Sequence, residues 1–259
     1  MRYDASFIGA GNMGLALLLA AAKTGAKLGV CDHHESHLAA AVAAGAAVED
    51  AASLAANSRF LFLGVKPHAV EALCRELAPC LSPETVLVTM AAGKTAAAIA
   101  AAAGHDKVIR MMPNTPVAVG AGLTVYCKTD AVTDEEERAF LALLRESGAV
   151  EPLPENRIDA ASALSGSSPA FVYLFAEALA DGAVAAGLPR DKADRFAALT
   201  LRGAAALLLE SGKHPGKLKD EVCSPGGSTI EGVRTLARGG FQGLVADAVV
   251  DTFEKAKNL

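Results

Sequence analysis

The sequence predicts an α/β protein in two parts: a mostly parallel sheet with helices on its faces, then an all-helical domain. Three observations predict this. Short β-like runs alternate with helical ones over residues 1–153. A glycine-rich stretch, "FIGAGNMG", closes the first of those runs. From Pro154 to residue 259 only helical patterns remain. Alternation at this spacing lays strands side by side in parallel, with crossover helices covering both faces.

Each element has a local reason. "ASFIG" (5–9) is a buried-strand run, and "NMGLALLLAAAKTG" (12–25) is a helix stopped by Gly25. "KLGVCD" (27–32) is the next strand and "ESHLAAAVAAG" (35–45) the next helix. "RFLFLGV" (59–65) and "ETVLVTMA" (84–91) are strong strands, with "HAVEALCRELAP" (68–79) helical between them and Pro67 at its start. "KVIRMM" (107–112) and "GLTVYC" (122–127) follow. Thr133 and Glu136 form a capping box ahead of an amphipathic helix. In the second part, five segments read as helices: 155–166, 168–187, 190–212, 228–240 and 243–259. Ser168 is the expected N-cap of the second, with Pro169 at its first turn. The third spans roughly 34 Å at 1.5 Å per residue. Its Ala/Leu-rich flank needs a partner, in this chain or across a subunit boundary.

Composition narrows the function. Hydrophobic residues make up 52% of the 259, yet aromatics only 5%, with no Trp. Small side chains let helices approach closely. The net charge of -5 gives no basic footprint, so neither nucleic acid nor an anionic membrane is an expected partner. The apolar run at 15–22 ends at Lys23, too short to span a bilayer. The first residues lack the apolar core of a signal peptide. Cys31, Cys74, Cys80, Cys127 and Cys223 are scattered, as suits reduced thiols. The expected compartment is the cytoplasm.

"FIGAGNMG" carries Gly9, Gly11 and Gly14 in a G-x-G-x-x-G that leaves a strand and opens a helix. Gly9 permits the tight turn, Gly11 the approach of a pyrophosphate, and Gly14 close helix–strand packing. The helix start then offers free N–H groups to the phosphates. The expected cofactor-binding residues here are Gly9, Ala10, Gly11, Asn12, Met13 and Gly14, and the domain reads as Rossmann-like. Asp32 ends the second strand, where an acid accepts bonds from a ribose diol and favours NAD. His33, His34 and His37 follow, and imidazoles suit a 2′-phosphate, so NADP stays open. His33 and His37 have the spacing of two metal ligands on a helix, but no third ligand is evident and no metal is expected. Ligands bind outside the carboxyl ends of parallel strands. That rule adds Val65, Lys66 and Pro67, then Ala92 and Gly93, to the cofactor set.

Three further stretches complete a pattern. "RMMPNTP" (110–116) is a stiff loop whose Arg110 and Asn114 read mainly as scaffold. "LSGSSPAFVY" (164–173) sets a Gly/Ser turn before Pro169. "KDEVCSPGGSTIEGV" (219–233) interrupts helices with two glycines. With "FIGAGNMG", "VKP", "AAG", "GLPR" and "HPGKLKD", in this order, the chain resembles the pyrroline-5-carboxylate reductase family over almost its whole length. Two positions depart from the family's pattern. Ser228 stands where Thr or Ala is common, and Asp32 is unusual in a family that mostly prefers NADPH.

The resemblance implies a nucleotide-binding half, 1–153, and a helical half, 154–259, that forms a homodimer and often assembles further. It implies hydride transfer from NADPH, with NAD as the alternative, to the imine carbon of 1-pyrroline-5-carboxylate. The product is L-proline, in the last step of its synthesis. A substrate carboxylate needs donors. Ser228 with Glu231 reads as a second capping box, starting a helix at Thr229. Gly226 and Gly227 lack Cβ and let backbone N–H groups turn toward an anion. Substrate binding thus falls to Gly226, Gly227, Ser228 and Thr229, and catalysis to Thr229 and Ser224. Two other classes compete. The 3-hydroxyacid dehydrogenases share the opening motif but use a lysine on the helix after the Gly/Ser turn. Here no Lys lies between Lys128 and Lys192. A non-catalytic NAD(P)-binding redox sensor has no use for a carboxylate cradle.

Overall fold

The computed structural model describes residues 1–256. It divides into two compact units, Met1–Ser167 with the chain end from Phe253, and Ser168–Thr252. The first unit holds one eight-stranded sheet. Its strands are β1 (Tyr3–Ile8), β2 (Leu28–Cys31), β3 (Ala47–Val48), β4 (Ser58–Leu63), β5 (Val86–Thr89), β6 (Val108–Met112), β7 (Gly122–Lys128) and β8 (Gly148–Pro152). Their spatial order is β3-β2-β1-β4-β5-β6-β7-β8. All neighbours are parallel except β6 and β7, which a short loop joins antiparallel. The helices of this unit are α1 (Asn12–Ala22), α2 (Glu35–Ala43), α3 (Ala51–Asn57), α4 (Pro67–Leu77), α5 (Ala96–Ala103), α6 (Asp134–Leu144) and α7 (Glu155–Ser162).

Both faces of the sheet are covered, so its central strands are apolar on both sides. β4 shows why "SRFLFL" is a strand. Phe60 and Phe62 enter one core with Phe7 and Phe140, while Leu61 and Leu63 enter the opposite core with Leu54 and Ile99. Phe7 stacks on Phe62 at 4.5 Å, and Phe140 of α6 reaches Tyr126 at 5.4 Å. The expected capping box holds α6. Thr133 Oγ1 accepts from the Glu136 N–H, and Glu136 Oε2 accepts from the Thr133 N–H. Phe140→Ala leaves a void at the centre of this aromatic group. It is expected to cost about 3–5 kcal/mol, read from the urea midpoint.

In the first unit, four elements escaped the sequence pattern: β3, α3, α5 and β8. The two helices are alanine-rich and short, and the two strands lie toward the sheet's edges with mixed exposure. The division by compactness also falls later than the expected break after Leu153. Ile158 of α7 is fully buried with Met112 and Val125 of the sheet. Buried Arg110 of β6 also holds α7 through Glu155 and Asp159. Glu155 caps α5 as well, accepting from the Ala96 N–H at 2.7 Å.

The turn expected before Pro169 does not form, and Ser168 is not an N-cap. α7 passes into a π turn at Ala163–Ser167 and directly into α8 (Ser168–Ala185). Proline has no N–H, so the Ser165 carbonyl four residues earlier lacks its α-helical donor. Asn114 Nδ2 donates to that carbonyl instead, at 3.0 Å. Asn114 Oδ1 accepts from the Leu123 N–H at 2.8 Å, so one buried amide ties the "MPNTP" loop, β7 and the π turn.

The second unit contains α8, α9 (Arg190–Ser211), α10 (Pro215–Val222), α11 (Ser228–Arg238) and most of α12 (Phe241–Ala256). No strand occurs among its residues. Residues 257–259, expected to finish the last helix, lie outside the described residues. α8 and α9 pack as a hairpin on Ala180, Ala193 and Ala197, three small buried side chains. Larger apolar residues stay exposed, among them Tyr173, Leu174, Phe196, Leu207, Leu209 and Leu244. No helix among the described residues is long and apolar enough to cross a membrane.

Candidate functional site

The strand order reverses between β1 and β4, and a crevice opens there beyond the strands' carboxyl ends. It forms a cavity of about 850 Å³. The glycine loop supplies one wall through Gly9, Gly11, Asn12, Met13 and Gly14. The turn after β2 supplies Asp32 and His33, and the turn after β4 supplies Val65, Lys66 and Pro67. Ten of the thirteen positions expected around a cofactor therefore line one space. Ala10 does not: it is fully buried behind the loop. Ala92 and Gly93 sit exposed in the turn after β5 and are not among the lining residues, whereas Met90 of the same turn is.

The glycines are there for close packing. Gly9 has φ +88°, and a Cβ on it would meet the Gly64 carbonyl carbon at 2.8 Å. A Cβ on Gly14 or on Gly64 would overlap the Gly9 carbonyl oxygen. Gly11 differs, since a Cβ there meets nothing within 4 Å. Gly11 is also the N-cap of α1 and makes no side-chain cap bond. The start of α1 thus faces open space with unclaimed N–H groups. Gly64 was missed as a site residue. Its signal was a glycine directly after a strand, matching Gly9 after β1 on the neighbouring strand.

Asp32 is turned into the fold, its side chain 7% exposed. Oδ2 accepts from the Ala10 N–H at 2.5 Å, and Oδ1 accepts from the His34 N–H at 2.8 Å. His37 Nδ1 lies 3.3 Å from the same Oδ1. Burial pushes the carboxyl pKa up. The donors from His34, Ala10 and His37 outweigh burial and hold it below the usual value. His34 and His37 also line the cavity, with ring centroids 5.0 Å apart. Sequence spacing marked these histidines but not Asp32's bond back to the glycine loop.

The second candidate site lies in the second unit. "SPGG" forms a type II turn: Pro225 at the first corner, Gly226 at φ +70°, and the Gly227 N–H donating to the Ser224 carbonyl at 3.0 Å. A Cβ on Gly227 would sit 2.5 Å from Ser224 Oγ. Here the sequence expectation needs correction. The N-cap of α11 is Gly227, not Ser228, and the helix begins at Ser228 rather than Thr229. Glu231 makes no capping box; it accepts from Arg234 Nη1 at 2.8 and 3.1 Å. The turn leaves Gly227 extended, at ψ 168°, one residue earlier than the pattern suggested. With a glycine N-cap, the first N–H groups of α11 have no side-chain cap. Ser224, Gly226, Ser228 and Thr229 are exposed.

Burial pushes Cys74 and Cys127 up to about 11. No cluster of three or more His, Cys, Asp or Glu side chains suited to a metal occurs among the described residues.

Known proteins share this arrangement. A family model described as pyrroline-5-carboxylate reductase dimerisation matches residues 155–259. One described as NADP oxidoreductase, coenzyme F420-dependent, matches residues 5–93. The pyrroline-5-carboxylate reductase of Escherichia coli (strain K12) is 43% identical over 214 residues, 82% of this chain and 80% of that protein. That of Pisum sativum is 39% identical over 262 residues, 99% of this chain and 96% of that one. The solved structure of Plasmodium falciparum pyrroline carboxylate reductase with NADP bound has a TM-score of 0.85 at 27% identity, covering 98% of each chain. With identity at this level over nearly the full length of both chains, the protein belongs to the pyrroline-5-carboxylate reductase family.

Proposed function

We propose that the protein reduces 1-pyrroline-5-carboxylate to L-proline with hydride from NADPH. The observation that carries this reading is the pairing, in one chain, of a glycine-walled cavity at a sheet switch point with an uncapped helix start behind a Pro-Gly-Gly turn. Membership of a family named for this reaction supports it. So does the NADP held by the Plasmodium falciparum relative.

The first-unit residues suit a dinucleotide. Gly9, Gly14 and Gly64 have no room for side chains, while Gly11 and the start of α1 stay open for a pyrophosphate. When bound, the cofactor supplies the hydride that the imine carbon accepts. The chain's own groups do the rest. Uncapped N–H groups at the start of α11, freed by Gly226 and Gly227, bind the substrate carboxylate. Thr229, second residue of α11, orients the ring nitrogen with its hydroxyl. A hydroxyl is a weak acid at pH 7, so Thr229 passes a proton from water or holds an imine that arrives protonated. As the C=N bond becomes C–N, hydride goes to carbon and the proton to nitrogen. Ser224 fixes the turn that presents these groups.

The helical half, residues 154–259, serves as a homodimerisation domain in this reading. Its three-alanine core is too small to stabilise it alone, and its exposed leucines and aromatics need a partner surface. The compartment proposed is the cytoplasm. The test of the reaction is direct: protein, NADPH and 1-pyrroline-5-carboxylate are mixed and the absorbance of reduced cofactor is followed. Stable absorbance would sink the proposal. Thr229→Ala is expected to lower kcat about 100-fold; unchanged turnover at saturating substrate removes Thr229 from the mechanism.

A further inference from the structure

Asp32 stands where an acid ordinarily selects NAD by accepting from the ribose diol. In this fold its two oxygens are already taken by three donors, and its side chain is nearly buried. It serves the glycine loop and the start of α2, and its charge is compensated from behind. What the cavity presents at this corner is imidazole: His33, His34 and His37. We propose that these three histidines form a proton-gated subsite for a phosphomonoester on the cofactor's ribose, so that preference for NADPH over NADH rises as pH falls. This rests on the cavity being the cofactor seat.

The gating follows from one contact. An ionised carboxylate only accepts, so the His37 ring nitrogen facing Asp32 carries the proton. Neutral His37 therefore presents a lone pair at Nε2, which repels phosphate. Protonated His37 presents a donor at the same atom. His33 and His34 are exposed and add charge in the same way. Imidazole is the side chain that changes charge between pH 5 and 8.

Other ionisable groups surround the cluster on the neighbouring elements. α1 has none. β2 brings Cys31, whose pKa is pushed up by burial and then by Asp32 and Asp50. Glu49 and Asp50 follow β3, and Glu35 opens α2; hydrogen bonds from Ser53 and Tyr3 hold the Glu49 carboxyl below its usual value. Lys66 lines the same cavity, at the start of α4. A further imidazole, His68, lines the cavity from α4.

The test is the ratio of kcat/KM for NADPH to that for NADH, measured from pH 6.5 to 8.5 at constant ionic strength. The ratio cancels the pH dependence of steps both cofactors share. It is expected to fall about tenfold across the range. In the exposed pair His33→Gln/His34→Gln the fall is expected to shrink, and with His37→Gln added the ratio is expected to be flat. A wild-type ratio constant within about twofold overturns the inference. So does a triple variant whose ratio falls as steeply as wild type, since groups other than these three histidines would then be responsible. Dissociation constants for NADP and NAD, taken on the same proteins, separate the two readings. Failure of both nucleotides to bind at any pH overturns the cofactor seat itself, whereas binding with a flat ratio overturns only the histidine subsite.

Discussion

Gly14→Ala is expected to weaken dinucleotide binding roughly a hundredfold and to destabilise the first unit at the same time. The new methyl would overlap the Gly9 carbonyl oxygen, a backbone atom that no rotamer can move aside. Gly9 cannot retreat, because Gly64 of the neighbouring strand end is packed against it. Overpacking of this kind costs about 3 kcal/mol at its upper range, and about 1.4 kcal/mol is worth tenfold in affinity. Gly11→Ala is the control. Its Cβ meets no protein atom within 4 Å, so the urea midpoint is expected to hold while cofactor affinity drops. Titration of NADPH fluorescence and urea unfolding on both variants give the four values needed. Equal behaviour of the two variants would mean that the loop flexes more than its packing allows.

Charging the exposed face of α9 is expected to abolish assembly and activity together. Phe196, Leu199, Gly203 and Leu207 recur at helical spacing along one side of that helix, and all but Gly203 are large apolar residues left exposed. In a two-fold dimer each substitution is present in both copies. Phe196→Glu/Leu207→Glu thus places four carboxylates in an apolar contact. Even at about 1–2 kcal/mol for each, the low end for burying a polar group, association weakens by about a thousandfold at the least. Light scattering after size exclusion should show a monomer with reduced far-UV helicity. A wild-type chain that is itself monomeric at micromolar concentration would remove the dimer from the proposal.

Much of the fold was written locally, and the exceptions have physical causes. The capping box at Thr133 and Glu136 formed as the pattern implied. The same pattern at Ser228 and Glu231 did not. Pro225 and Gly226 build a turn that hands the cap to Gly227, and Arg234 takes the Glu231 side chain. The two stretches are alike in spacing and differ in what precedes them. Ser168 failed as a cap for a related reason. Its fate depended on Asn114, more than fifty residues earlier, which satisfies the carbonyl that Pro169 leaves without a donor. α3 and α5 are mostly alanine, so hydrophobic periodicity had little contrast to register. At the switch-point cavity the glycine motif and the strand-end rule found half of the lining residues. What they could not supply was the direction of the Asp32 side chain, which depends on a bond to Ala10 across the β1–β2 pair.

The alanine core of the second unit has a genetic consequence. In the proposed dimer, a helical half completed by another copy makes every chain answerable for its partner. A variant that still pairs but has lost Thr229, or cannot seat cofactor, will enter mixed dimers with normal chains. Whether such dimers work depends on whether one chain's helical half can serve the other's cavity. Two inactive variants, one altered at Gly14 and one at Thr229, settle this when produced together in one cell. Growth without added proline means that the halves complement between chains; absence of growth, with both chains present and paired, means that they do not.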